Sequence, residues 1–149
     1  MMIPNFPRAL LIVLVAASVS TACGDESPTT PTTPTDPTLL RSSETFSARL
    51  GVGESQFYSF SVSGAGTTDV TLVSVRTAGV PTATLTTVVG LGLGTPAGTD
   101  CALSSATNTA AALTKQLSET TNAGVHCVKI SDVGNLPGAV DYTLRIFYP

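Results

Sequence analysis

The chain holds a single histidine, His126, so acid–base or nucleophilic chemistry near neutral pH would have to be organised around that ring. A Ser-His-Asp arrangement needs a carboxylate to orient the imidazole, and Asp100, Asp132 and Asp141 are the partners on offer. No nucleophile elbow presents a serine to it. His126 also alternates with Val128 and Ile130, which predicts a mid-strand position on the core-facing phase, packed or hydrogen-bonded at a rim. The carboxylates offer no evident pair for glycoside cleavage. Gly90-Leu91-Gly92-Leu93-Gly94 lacks the strand-then-helix setting that places phosphate on a helix N-terminus. It reads instead as a strand whose glycines let another backbone approach. Cys101, Cys127 and His126 fall short of a four-ligand zinc site. The expectation is a chain with no catalytic, cofactor-binding or metal-ligating residues.

Stronger chemistry lies near the start. Met1 to Arg8 carries one positive charge, Ala9 to Ala17 carries none, and small residues lead on to Cys23. That order is the order of a secretory signal. A membrane-spanning helix is the alternative, but it needs about 20 apolar residues, and Asp25 and Glu26 follow too soon. Ala22-Cys23 resembles a bacterial lipobox, with Ser20 where Leu or Val is usual and Val19 one position earlier. The resemblance implies cleavage before Cys23 and acylation of its thiol by palmitate-like chains. Ordinary cleavage nearby would leave Cys23 a free thiol. If Cys23 carries lipid, Cys101 and Cys127 remain as an even pair in an oxidising compartment, where a disulfide is expected over two unpaired buried thiols. Gly24 rather than Asp follows Cys23, which points to the outer membrane or cell surface rather than the inner membrane.

Residues 25–38 place Pro28, Pro31, Pro34 and Pro37 at every third position among Thr, Ser and acids, with no apolar side chain. Such a segment cannot bury enough surface to offset ordering, and its prolines favour an extended polyproline II spacer of about 40 Å. The domain plan is therefore a signal peptide over 1–22, a lipidated cysteine and linker over 23–38, and one folded domain over 39–149. The net charge of −3 becomes −4 once Arg8 is removed with the signal, and the Lys and Arg residues are scattered singly. No nucleic-acid partner is expected from that pattern.

Within 39–149 the apolar residues alternate. Phe46, Ala48 and Leu50 share one phase, followed by a turn at 51–54; Tyr58, Phe60 and Val62 share the next, with Gln56, Ser59 and Ser61 outward or at the rim. Over Asp69 to Arg76 the phase switches between Leu72 and Val73, which predicts a β-bulge near Leu72. A steady phase through Leu85, Thr87, Val89, Leu91 and Leu93 predicts a strand from Ala83 to Gly94. Residues Thr107 to Glu119, Ala110–Glu119 above all, fit a capped helix or a strand, and the surroundings favour a strand. Gly124 to Val133 is a strand, Gly134 to Gly138 a hairpin connection, and Val140 to Tyr148 a closing strand with Tyr142, Leu144 and Ile146 inward. Seven short strands with Gly-rich turns and scarcely any helix read as an all-β, antiparallel two-sheet sandwich.

Three of these stretches, Gly53-Glu54-Ser55-Gln56-Phe57-Tyr58-Ser59-Phe60-Ser61-Val62, Ala123 to Ile130 and Asp141-Tyr142-Thr143-Leu144, resemble the bacterial pre-peptidase C-terminal domain family. The likeness runs from about Glu44 to Tyr148. His126 stands where that family usually has an aromatic, and its acidic middle-strand feature is absent, so no calcium or ligand role carries over. The resemblance implies a jelly-roll-like, non-catalytic sandwich of the kind appended to secreted hydrolases. With the anchor, it points to an envelope module that binds protein or polysaccharide or aids secretion. A structural subunit pairing through its sheet edges is the alternative, and a secreted hydrolase comes third.

Overall fold

The computed structural model describes residues 41–149; the signal segment 1–22, Cys23 and the whole of the linker 23–38 lie outside these, as do Leu39 and Leu40. Eight strands follow in order: β1 Ser42–Leu50, β2 Ser55–Val62, β3 Gly66–Thr77, β4 Val89–Ala97, β5 Asp100–Thr109, β6 Leu117–Thr121, β7 Gly124–Asp132 and β8 Val140–Tyr148. They form two antiparallel four-stranded sheets, β1-β8-β3-β6 (sheet I) and β2-β7-β4-β5 (sheet II). Every connection except β4–β5 crosses between the sheets, the interleaving of an eight-stranded jelly roll. The fold class is the all-β sandwich that the alternation predicts.

The inward phases are those read from the sequence. Leu50, Val70, Leu72, Leu144 and Ile146 of sheet I meet Phe60, Leu91, Leu93, Val128 and Ile130 of sheet II, all buried. The bulge falls between Leu72 and Ser74, so Val70 and Leu72 face inward before it and Val75 after it. Along the open side between β1 and β2, Phe46 stacks on Tyr58 with ring centroids 4.4 Å apart. The Tyr142 hydroxyl there donates to Gln56 Oε1 at 2.8 Å and shares a 2.6 Å hydrogen bond with the Tyr58 hydroxyl. The buried Tyr142 phenol and the half-buried Tyr58 phenol are thereby satisfied.

Four sequence expectations change. The described residues form eight strands, not seven. The run from Ala83 to Gly94 is not one strand: Thr84 makes only an isolated bridge to Arg76, and Leu85 N–H bonds the Val75 carbonyl on sheet I. The chain then crosses and starts β4 in sheet II at Val89, so a single phase serves two sheets in turn. Residues 107–119 are neither one helix nor one strand. They comprise the end of β5, a connection over 110–116 and the start of β6. The connection is held to β3 by Ala112 N–H on the Leu72 carbonyl and Gln116 N–H on the Val70 carbonyl. Finally, Gly134 to Gly138 is not a hairpin, because β7 and β8 belong to different sheets.

The β4–β5 hairpin turns through Gly98, whose φ of 61° suits a two-residue connection. Its register shifts between Leu93 and Gly94, and a side chain at Gly94 would overlap the Ala102 carbonyl. The bare Gly94 backbone thus lets β5 close over it. Cys101 arrives with its Cα 5.9 Å from that of Cys127 on β7, and the two form a disulfide. Lys129 Nζ donates to Asp100 Oδ1 at 2.7 Å, a second tie on the same tip. Cys127 lies on the outward phase of β7 yet is fully buried, because the hairpin tip covers it.

Candidate functional site

The outer face of sheet I is mostly polar, with Phe147 among its outward residues, and strand register sorts it into rows. Ser43, Phe147 and Asp69 align across β1, β8 and β3; Thr45, Arg145 and Thr71 come next, then Ser47, Thr143 and Ser74, then Arg49, Asp141 and Arg76. These positions alternate with the buried apolar ones, so the pleat turns them outward. A groove of about 600 Å³ runs over the last two rows, lined by Ser47, Arg49, Ser74, Arg76, Asp141 and Thr143.

Two carboxylates on this face are already occupied. Asp69, with only 11% of its side chain exposed, accepts from Arg41 Nη2 at 2.9 Å, Lys115 Nζ at 2.8 Å and Ser118 Oγ at 2.6 Å. Burial pushes its carboxyl up, but Lys115, Ser118 and Arg41 together outweigh that and hold it below the usual carboxylate range. Asp141 accepts from Arg49 Nε at 2.9 Å and Gly79 N–H at 2.9 Å, and the Arg49 guanidinium holds it low as well. Both partners of that second pair are substantially exposed, so it contributes little to stability.

Arg76 flanks Asp141 on β3 but forms no ion pair among the described residues, and its buried Nε has no hydrogen-bond partner among them. Arg145 is in the same position. Its guanidinium lies 5.4 Å from the Phe147 ring centre, with Arg41 5.9 Å from the same ring. Counted together, Arg41, Arg49, Arg76, Lys115 and Arg145 face Asp69 and Asp141, a surplus of three positive charges. The rest of residues 41–149 holds Lys129 against Glu44, Glu54, Asp100, Glu119 and Asp132, a deficit of four. A chain whose cations look scattered therefore folds into a polarised domain with one basic face. The alternation places Arg49 and Arg145 opposite their apolar neighbours. Nothing in the sequence says that β1, β3 and β8 lie side by side, and the patch is invisible without that.

The residues considered for chemistry are separated. His126 is half-buried on β7, its Nε2 donating to the Asn122 carbonyl at 2.9 Å and its ring 6.1 Å from that of Phe60, a hydrogen-bonded rim position. Asp100 is bound to Lys129, which holds its carboxyl low, and Asp141 to Arg49. Asp132 accepts backbone N–H groups of Gly53 and Gly134, both at 2.8 Å, and the Gly53 contact above all keeps its carboxyl below the usual range. None of these three carboxylates bonds the imidazole. The glycines of β4 make room for neighbours: the Ala102 backbone at Gly94, the Leu103 side chain at Gly92 and Ser131 Oγ at Gly90. Cys23, the expected lipidation site, lies outside the described residues. No known family model matches the chain, and no curated protein matches it.

Proposed function

We propose that this protein is a lipid-anchored, non-catalytic binding module of the bacterial cell envelope, a domain like those of the pre-peptidase C-terminal family held outside the cytoplasm by acylated Cys23. The observation that carries the binding reading is the largely polar, net-positive outer face of sheet I, with its groove and two arginines that have no ion pair among the described residues. Fold-level support comes from the jelly-roll strand order and the Cys101–Cys127 disulfide, which suits an oxidising compartment. The Thr/Pro linker would hold that face clear of a membrane, with the outer membrane or cell surface as the site of anchoring. Protein or polysaccharide of the envelope is the partner class. Intact mass of the mature protein is expected to show a diacyl or triacyl addition at Cys23 and two hydrogens fewer for the bridge. Envelope extract passed over the immobilised full chain should leave a retained component. A soluble, unprocessed polypeptide that retains nothing would defeat the proposal.

A second reading, a subunit that assembles through its sheet edges, draws on β5. This edge strand carries neither charge nor proline from Cys101 to Thr109, so its free backbone groups lack the usual deterrents to pairing. Light scattering decides it: a molar mass that stays monomeric across a wide concentration range removes that reading.

A further inference from the structure

We infer that the outer face of sheet I binds an acidic polysaccharide, its carboxylates taken by Arg76 and Arg145 and its hydroxyls by the rows of Ser and Thr between them. This rests on the binding-module reading and names its ligand class. Arg76 and Arg145 are the two basic side chains on the face with no acidic partner among the described residues. Arg76 aligns with Asp141, and Arg145 lies four residues further along β8, so the two sit about 14 Å apart along the strand direction. Between them run Ser47, Thr143 and Ser74 in one row, and in the next the exposed Thr45 flanks Arg145, opposite the buried Thr71. The Ser47 and Thr143 hydroxyls are already 3.0 Å apart, each with capacity left for a ligand hydroxyl. A planar guanidinium takes a carboxylate through two parallel N–H donors, and hydroxyl rows suit a ligand dense in hydroxyls. A chain of uronic-acid type offers both at intervals.

Other polyanions and partners fit this face less well. Single-stranded nucleic acid needs open aromatic faces for its bases, but Phe147, the aromatic side chain on these rows, has Arg41 and Arg145 against its ring. A protein partner is usually anchored by apolar or aromatic side chains filling pockets, and the rows present hydroxyls and charges instead. An anionic lipid surface would leave the hydroxyl rows without a role, and the exposed apolar side chains near this face, Val80 and Leu113, lie off those rows. The acidic remainder of the domain also opposes attraction by charge alone, which favours a ligand that both hydrogen-bonds and pairs ions.

The test uses the full chain, purified in detergent, against polygalacturonate, its methyl ester, dextran and polyphosphate. Polygalacturonate is expected to bind, with affinity falling as salt rises, and the ester, which keeps the backbone but loses the charge, to bind about tenfold more weakly or worse. Arg76→Gln with Arg145→Gln is expected to lower polygalacturonate affinity about tenfold and Arg76→Glu with Arg145→Glu further, while Lys129→Gln on sheet II changes it little. An unchanged melting temperature and an intact Cys101–Cys127 bridge show that each variant is folded. Equal binding of acid and ester, no loss in the folded double variants, preference for polyphosphate, or no binding of polygalacturonate each overturns the inference. An envelope protein or neutral glycan held equally by wild type and double variant overturns it too, yet leaves the binding module standing. That module falls only if the envelope yields no partner.

Discussion

Asp69 is the residue most dependent on its surroundings, being nearly buried and bracketed by Arg41, Lys115 and Ser118. Its folded carboxyl titrates below the unfolded value, as do those of Asp100, Asp132 and Asp141. A depressed folded pKa means that the stabilisation is complete above the unfolded value, near pH 4, and is lost as pH falls through the folded values. The melting temperature is therefore expected to hold steady around neutrality and to drop in acid below about pH 4. Asp69→Asn should cost about 2 kcal/mol at pH 7, by leaving two cations without their shared acceptor, and should flatten that acid slope. Melting curves from pH 7 to pH 2 on both proteins check it. Tyr148 is the opposite case: its hydrogen bond to Glu44 pushes the phenol up to about 12, so it stays neutral throughout that range. Much at this scale was legible, including the rim position of His126. The Asp69 cluster was not, because Arg41 and Lys115 are 28 and 46 residues away in the chain.

Among the elements, β4 and β5 show best what alternation conveys and what it omits. Phases in β1, β2, β7 and β8 were readable because large apolar residues mark one face of each. β5 has little such marking: Cys101 is its one fully buried side chain, and small or hydroxylated residues fill most of the rest. A strand exposed on most of its length leaves no period-two trace. The glycines of β4 divide by what they face. Gly94→Ala would drive a methyl into the Ala102 carbonyl, which is fixed backbone, and is expected to cost about 3 kcal/mol and to loosen the hairpin. At Gly92 the added methyl would lie 2.6 Å from Leu103 Cδ1, the end of a half-exposed side chain that can turn aside. Gly92→Ala should cost less than about 1 kcal/mol. Urea unfolding of the two variants measures the difference, and equal losses would show that the Ala102 backbone yields as readily as the Leu103 side chain.

For the whole molecule, the sandwich was legible but its connectivity was not, since inward and outward faces say nothing about which sheet a strand joins. The β7–β8 connection shows it: the spacing and the glycines suit a hairpin, yet the chain crosses from sheet II to sheet I. The disulfide acts at this scale as well, fastening β5 to β7 across a separation of 26 residues. Replacing Cys101 and Cys127 together by Ser is expected to lower unfolding stability by about 3.5 kcal/mol on the chain-entropy model. Urea midpoints of the oxidised wild type and the double variant test that figure, and an unchanged midpoint would mean that the bridge restrains nothing the sheets do not already restrain.

The pairing of β1 with β8 along their whole length has a temporal side. Among the described strands, the one formed from the first residues of the domain has as its sheet neighbour the one synthesised after the other seven, and β3 needs that same late strand for most of its ladder. Contacts so distant in sequence form slowly and close the largest loops last. Until Val140 to Tyr148 has been synthesised, sheet I lacks the strand that joins β1 to β3. A stop codon ahead of Val140 would not trim an edge; it would remove the strand around which sheet I is assembled.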